Sequence, residues 1–250
     1  NSGQFHHGKR KDQALIESCI KYGLLLDRGH VNNRTGEKAY SPFGKSCIVF
    51  ALRNQQHQVT GLYFRSTINN SNQRHFYLKD RQGLYPQYPK KETKKLILTE
   101  SIIDCATLLQ LDLKGYEVLA LYGTNGLTEE HIEAISQLKD LEEVVLFFDG
   151  DEAGNKAAAK YSKQLQELKP GAQISKVPTP DGEDINSLLD GHEPEILTEL
   201  LNQRKPIHAG TLSSSNETKD QDNEPDPRQE PEGAVLNTDN PERITYTSEH

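Results

Sequence analysis

Two aspartates one residue apart, Asp149 and Asp151, close an apolar run in the stretch "VVLFFDGDEAGNKAA". A strand fixes the backbone at its end, and an alanine-rich helix pins the chain beyond the turn. Two carboxylates alternating with Gly150 can then point into one crevice. Glu100 ends a second short apolar run, "LILT", and Asp104 follows one helical turn later on the same side. A further acidic group, Asp181, Glu183 and Asp184, follows "ISKVP". Carboxylates gathered in one place repel and lose solvation unless a cation compensates them. Mg²⁺ takes oxygen ligands, keeps several waters and pairs carboxylates with substrate phosphates. Two such ions stabilise both the attacking and the leaving oxygen of an in-line displacement. The chemistry these residues suit is metal-assisted phosphoryl transfer, with Glu100, Asp149 and Asp151 as the acidic set. Glu100 as a general base is an equally open role.

Taken singly, each signal is weak. Loops often begin with Asp, a lone Glu at a strand end is commonplace, and "PDGED" is a good turn sequence. The argument rests on their joint position, at the ends of strands of one sheet. From Lys95 onward the chain alternates: "KLILT" strand, "SIIDCATLLQL" helix, "YEVLALYG" strand, "LTEEHIEAISQL" helix, "EVVLFF" strand, "EAGNKAAAKYSKQLQEL" helix, "AQISKVP" strand and "INSLLDG" helix. That pattern predicts an α/β fold, a mostly parallel sheet with helices on both faces. Ligands of such sheets bind outside the carboxyl ends of the strands, which is where the acids fall. The remaining strand ends in Gly123-Thr124-Asn125-Gly126, a turn able to bring backbone close to another group. Thr128 is the expected N-cap of the helix that follows.

Upstream, "DQALIESCIKYGLLL" (12–26) has helical spacing, with Asp12 as N-cap and Gly23 fraying its end. Strands are expected at Cys47–Arg53 and Val59–Ser66, forming a hairpin around "NQQH", with a third at Arg74–Lys79. This part reads as a small basic α+β unit.

Charge separates along the chain. Residues 1–98 hold 17 Lys and Arg against 6 Asp and Glu, residues 99–205 hold 9 against 21, and residues 206–250 hold 3 against 10. A basic block suits phosphates and an acidic block suits divalent cations. Three widely spaced cysteines, Cys19, Cys47 and Cys105, argue against a disulfide framework and against a zinc ribbon. No apolar run is long enough to span a membrane and the start shows no signal peptide, so the expected compartment is the cytoplasm. The chain starts with Asn and has no Met, where roughly five would be usual, and reads as a fragment. The expected organisation is a tag-like or disordered end (1–11), the basic subdomain (12–94) and the acidic α/β domain (95–205). An acidic disordered linker (206–243) and the start of a further domain (244–250) follow.

"LILTESIIDCATLLQ" and "VVLFFDGDEAGNKAAAKY" resemble the two motifs of the TOPRIM domain, a strand-end Glu and a strand-end D-x-D. That metal-binding fold is shared by bacterial DnaG-type primases, topoisomerases, OLD-type nucleases and recombination proteins. "DGDxAG" before an Ala-rich helix looks primase-like, "LALYGTNGLTEEHI" resembles the primase segment around Leu-Gly-Thr, and "VPTPDGEDINSLL" resembles its further cation-binding loop. By that resemblance the loop's acidic pair falls on Asp184 and Asn186, with Asn where the family usually has Asp. "CIVFALRNQQHQVTGLYFRS" is similar to the primase strands ending in Gly-x-x-x-Arg, which puts Arg53 and Arg65 at basic positions. "RHFYLKDRQGLYP" looks like a shortened groove segment, with Phe76 in place of the lysine beside Tyr77 and with Arg74, Lys79 and Arg81 supplying charge.

The resemblance covers about residues 12–200 and implies the RNA-polymerase core of a primase. The implied activity is template-directed synthesis of short RNA primers on single-stranded DNA from ribonucleoside triphosphates. Two or more Mg²⁺ or Mn²⁺ ions would sit on Glu100, Asp149 and Asp151, with Asp184 and Asn186 at a further site. Asp104, Gly123 and Thr124 would support them, while Lys45, Arg53, Arg65, Arg74, Tyr77, Lys79 and Arg81 would contact nucleic acid or nucleotide. Neither a zinc ribbon nor a helicase-binding domain is recognisable, so a replicative helicase would be met through regions outside this chain. The shortened groove segment points to a mobile-element or phage relative. A TOPRIM nuclease and a non-catalytic nucleic-acid-binding TOPRIM module share the same acidic motifs and stand as alternatives.

Overall fold

The computed structural model describes residues 12–31, 33, 36, 38–68 and 74–207. The expected tag-like end, further domain and nearly all of the expected linker lie outside them.

The centre is a five-stranded sheet built from β6 (Lys95–Thr99), β7 (Glu117–Ala120), β8 (Glu143–Phe147), β9 (Gln173–Lys176) and β10 (Lys205–Pro206). Their spatial order is β10-β9-β8-β6-β7, parallel except for the antiparallel β10. The helices are α2 (Ile102–Leu108), α3 (Glu129–Ser136), α4 (Glu152–Leu168), α5 (Ile185–Gly191) and α6 (Glu195–Asn202). Successive strand residues point to opposite faces, and the core divides accordingly. Leu96, Leu98, Leu119, Leu121, Val144 and Leu146 pack with Ala134 and Ile135 of α3 and with Ala157, Ala158 and Leu165 of α4. Ile97, Val118, Ala120, Val145 and Phe147 pack with α2, α5 and α6 through Cys105, Leu108, Leu188, Leu197 and Leu201. Both faces are covered, which is why β8 is buried at every residue and is apolar throughout after Glu143.

The alternation read from the sequence stops at Gly191, but α6 follows it, with Leu197, Leu200 and Leu201 turned inward. The chain then returns as β10, beside β9, and Ile207 N–H bonds Ile174 O at 2.8 Å. β10 and Ile207 thus place residues 206 and 207 with the α/β domain. At the opposite end of the sheet strands, Glu143 is 5% exposed and accepts from Arg204 Nε and Nη2 at 2.7 and 2.8 Å and from Ser175 Oγ at 2.8 Å. A buried carboxylate needs that full set of donors.

The basic subdomain supplies α1 (Gln13–Lys21), a hairpin of β1 (Leu25–Val31) and β2 (Lys38–Pro42), and an antiparallel sheet of β3 (Cys47–Arg53), β4 (Val59–Ser66) and β5 (His75–Tyr77). α1 is shorter than its periodicity suggests. Asp12 caps it by accepting from Leu15 N–H at 2.9 Å, but Gly23 takes φ +73° and breaks it, so Leu25 enters β1 instead. Leu52 and Tyr63 of the three-stranded sheet join the second core cluster. The basic sheet and the α/β sheet thus share one core, within one compact unit.

Candidate active site

β6 and β8 are neighbours in register, with Thr99 opposite Phe147. From β6 the chain crosses through α2 to β7, and from β8 it crosses through α4 to β9, on the other side. The carboxyl ends of β6 and β8 therefore flank the point where the strand order reverses, and such a point opens a crevice. Glu100 follows β6 directly and Asp149 follows β8 by two residues.

The spacing D-G-D has a steric cause. A Cβ on Gly150 would lie 1.8 Å from Pro180 O, because the loop 178–184 is laced to this turn. Gly150 N–H donates to Glu183 O at 2.9 Å and Thr179 Oγ1 donates to Phe148 O at 2.6 Å. Gly154 answers a second close approach, since a Cβ there would lie 2.4 Å from Asp149 O. Both motif glycines bring backbone onto backbone, and neither serves a left-handed turn. Asp151 caps α4, accepting from Gly154 N–H at 2.7 Å while remaining exposed at a helix N-terminus that favours negative charge.

Asp149 is half-buried and its carboxyl is pushed up to about 8, first by burial and then by the charges of Glu100, Asp104, Asp184 and Asp151. The carboxylates from three strand ends thus act on one another. Asp104 is 3% exposed, and burial lifts it to about 6. It accepts from Ser101 Oγ at 2.6 Å and from Asn186 Nδ2 at 2.5 Å. The Asn186 carbonyl oxygen in turn accepts from Thr107 Oγ1 at 2.5 Å, so both polar ends of this side chain bridge α2 and α5. Asp184 caps α5, accepting from Ser187 N–H at 2.7 Å. Gly123 takes φ +90° and donates its N–H to Glu100 O at 2.9 Å, and Thr124 O accepts from Tyr161 Oη at 2.6 Å. The turn after β7 thereby holds the backbone of Glu100.

Among the described residues, no three acidic, histidine or cysteine side chains converge tightly enough to form a ready-made metal centre. The donor set nevertheless fits a hard cation: it is all oxygen, mutually repelling, and needs to supply only one or two carboxylates to an ion that keeps its water.

The basic residues fall into different settings. Lys45, Arg74 and Lys79 are exposed. Arg53 turns onto its own hairpin, Nη1 donating to His57 O at 2.8 Å. Arg65, half-buried on β4, lies close enough to the crevice for its charge to lower the Asp104 carboxyl. Arg81 sits between the rings of Tyr77 and Tyr122, 4.6 and 4.2 Å from their centroids. Three residues that sequence reasoning missed support this surface: His75 on it, and Tyr63 and Tyr122 buried beneath it. The rings of Tyr63 and Tyr77 stand 5.1 Å apart, and those of Tyr77 and Tyr122 5.8 Å apart, so an aromatic row leads from the basic sheet to the end of β7. Its signal in the sequence is aromatic residues interleaved with basic ones in "LYFRS" and "RHFYLKDR".

A Toprim-like family profile matches residues 97–189. The DNA primase of Escherichia coli K12 is 28% identical over 200 residues, covering 76% of this chain and 33% of its own length. That of Chlamydia pneumoniae is 36% identical over 212 residues, covering 80% and 35%. The chain therefore spans about a third of these relatives. In fold it matches the Aquifex aeolicus primase zinc-binding and RNA polymerase domains, with TM-score 0.61, 22% identity, 79% of this chain and 48% of that one. It also matches a DnaG primase catalytic domain solved bound to single-stranded DNA, with TM-score 0.59, 23% identity and coverage of 78% and 63%. By these matches residues 97–189 are Toprim-like, and the chain is similar, over about three quarters of its length, to bacterial DNA primases.

Proposed function

We propose that the chain is a primase catalytic core that copies single-stranded DNA into short RNA by metal-dependent nucleotidyl transfer in the cytoplasm. The observation that carries this reading is the joining of an acidic crevice at the sheet's switch point to a basic, aromatic-lined sheet through one core. Glu100, Asp149 and Asp151 are the residues to hold Mg²⁺ or Mn²⁺, with Asp184 at the margin. Bound there, the cations supply positive charge to the nucleotide phosphates and to the primer 3′-hydroxyl. Asn186 fits the place of a neutral tie to Asp104 better than that of a ligand, since both of its polar atoms are engaged.

The chain's own work is positioning. Lys45, Arg65, Arg74 and Lys79 neutralise phosphates of template and nucleotide, and the buried aromatic row fixes the sheet that carries them. Arg53 and Arg81 stiffen that surface, one through its hairpin and the other through two rings. The turn at Gly123 holds Glu100, and the loop 178–184 holds Asp149.

Incubation with a single-stranded DNA template, labelled ribonucleotides and Mg²⁺ or Mn²⁺ tests the reading on a sequencing gel. Template-dependent short RNA supports it. Template degradation without RNA replaces it with a TOPRIM nuclease. Tight binding of single-stranded DNA with neither product, even when a zinc-bearing primase module is added, replaces it with a binding module.

A further inference from the structure

Arg65 and His75 are directly opposed across β4 and β5. Arg65 Nη1 lies 2.5 Å from His75 Nε2 and 3.4 Å from Nδ1, and Tyr63 Oη lies 2.6 Å from His75 Nδ1. A guanidinium only donates, so Nε2 must present its lone pair to it. In the neutral ring that accepts this bond at Nε2 the proton is on Nδ1, facing Tyr63 Oη. Tyr63 is 1% exposed and braced by the rings of Phe50 and Tyr77, which leaves the phenol little freedom. The imidazole is thus held between a fixed oxygen and a guanidinium. Arg65 lies two residues from Tyr63 on β4 and so on the same face, and Tyr63 packs in one cluster with Ile102 and Cys105 of α2, the helix that carries Asp104.

A carboxylate in the place of His75 would hold the guanidinium equally well but cancel its charge. A neutral imidazole orients the fork and leaves the positive charge intact for an anion. Partial desolvation of this exposed residue, then the charges of Arg65 and Arg74, hold the ring below the usual histidine range, which favours the accepting form at neutral pH.

We propose that His75 is a positioning residue, whose Nε2 lone pair, tied through Nδ1–H to Tyr63, aims the Arg65 guanidinium at a phosphate group entering the crevice. This rests on the proposed primase function, and the phosphate belongs either to the incoming nucleotide or to the template strand.

The test compares wild type with His75→Ala, His75→Gln, Arg65→Ala and the double variant Arg65→Ala/His75→Ala. Nucleotide kcat and KM come from RNA synthesis, and the Kd for labelled single-stranded DNA from anisotropy without nucleotide. His75→Ala is expected to weaken one phosphate ligand by ~10-fold, the scale of a charge-assisted hydrogen bond, with kcat unchanged. A raised nucleotide KM identifies the nucleotide, and a raised DNA Kd identifies the template. Glutamine, whose Oε1 also accepts, should restore most of the loss, and in the Arg65→Ala background His75→Ala should add nothing. Additive losses, or a fall in kcat at unchanged KM and Kd, overturn the proposal. Binding without RNA synthesis in wild type defeats the functional reading but leaves the DNA arm and a labelled-nucleotide binding arm able to judge this one. Ring ¹⁵N shifts showing the His75 proton on Nε2 would overturn it under any function.

Discussion

Replacing Asp149 by Asn removes one charge from the acidic crevice while preserving shape. In the metal-free protein the Asp149 carboxyl stands at about 8, against 3.8 for an unperturbed Asp. Between those values the unfolded chain has released the proton and the folded chain has kept it. Stability therefore falls as pH rises through that window. By pH 7 about three units of the shift are expressed, which at ~1.36 kcal/mol each gives ~4 kcal/mol. Asp149 is only half-buried, so water screens part of this, and about half, ~2 kcal/mol, is the expected gain for Asp149→Asn. For a chain of this size that is a rise in Tm of about 4–8 °C. Thermal melts in EDTA at pH 5, 7 and 8.5 should show the advantage of the variant widening with pH. Millimolar Mn²⁺ should raise the wild-type Tm more than that of the variant, because the cation offsets the same repulsion. A variant no more stable than wild type at pH 8.5, with an equal response to Mn²⁺, would refute the claim that these carboxylates burden the apo fold and welcome a cation.

Three other outcomes follow from the packing. Gly150→Ala forces a methyl to within 1.8 Å of Pro180 O and should cost about 1–3 kcal/mol, read as a lower urea midpoint, and displace the 178–184 loop. His131 is buried, accepts from Thr128 N–H at Nδ1 and donates from Nε2 to Ala120 O, and burial lowers it to about 4 from 6.5. Its contribution is whole above pH 6.5 and is lost as pH falls toward 4, by up to ~3 kcal/mol, so His131→Gln should flatten the acid limb of the stability profile. Asn186→Asp replaces the amide donor to Asp104 by a second acid, which should destabilise the EDTA form by about 1–3 kcal/mol and enlarge the Tm rise given by Mn²⁺.

Much of the α/β half was legible because its signals are local. Leu96, Ile97 and Leu98 form a short apolar run before Glu100, and β6 ends one residue before that Glu. Ser101, Thr128, Asp151 and Asp184 cap the helices that follow the turns. Other features depend on partners distant in the chain. Gly150 reads as a spacer between two acids, but its necessity comes from Pro180 O. Asn186 resembles a departure from a metal motif, and only the fold shows it bridging Thr107 and Asp104. Arg81 reads as one more basic groove residue until Tyr122 closes over it. The helix drawn to Leu26 ends at Lys21, because Gly23, read as fraying its end, takes a left-handed angle.

The most direct measurement is primer synthesis by wild type and Asp149→Ala on one single-stranded template, with binding of that template measured in parallel. The account predicts RNA from wild type, none from Asp149→Ala, and nearly equal template binding by both. RNA synthesis by Asp149→Ala at the wild-type rate would contradict the assignment of the acidic crevice as the catalytic centre.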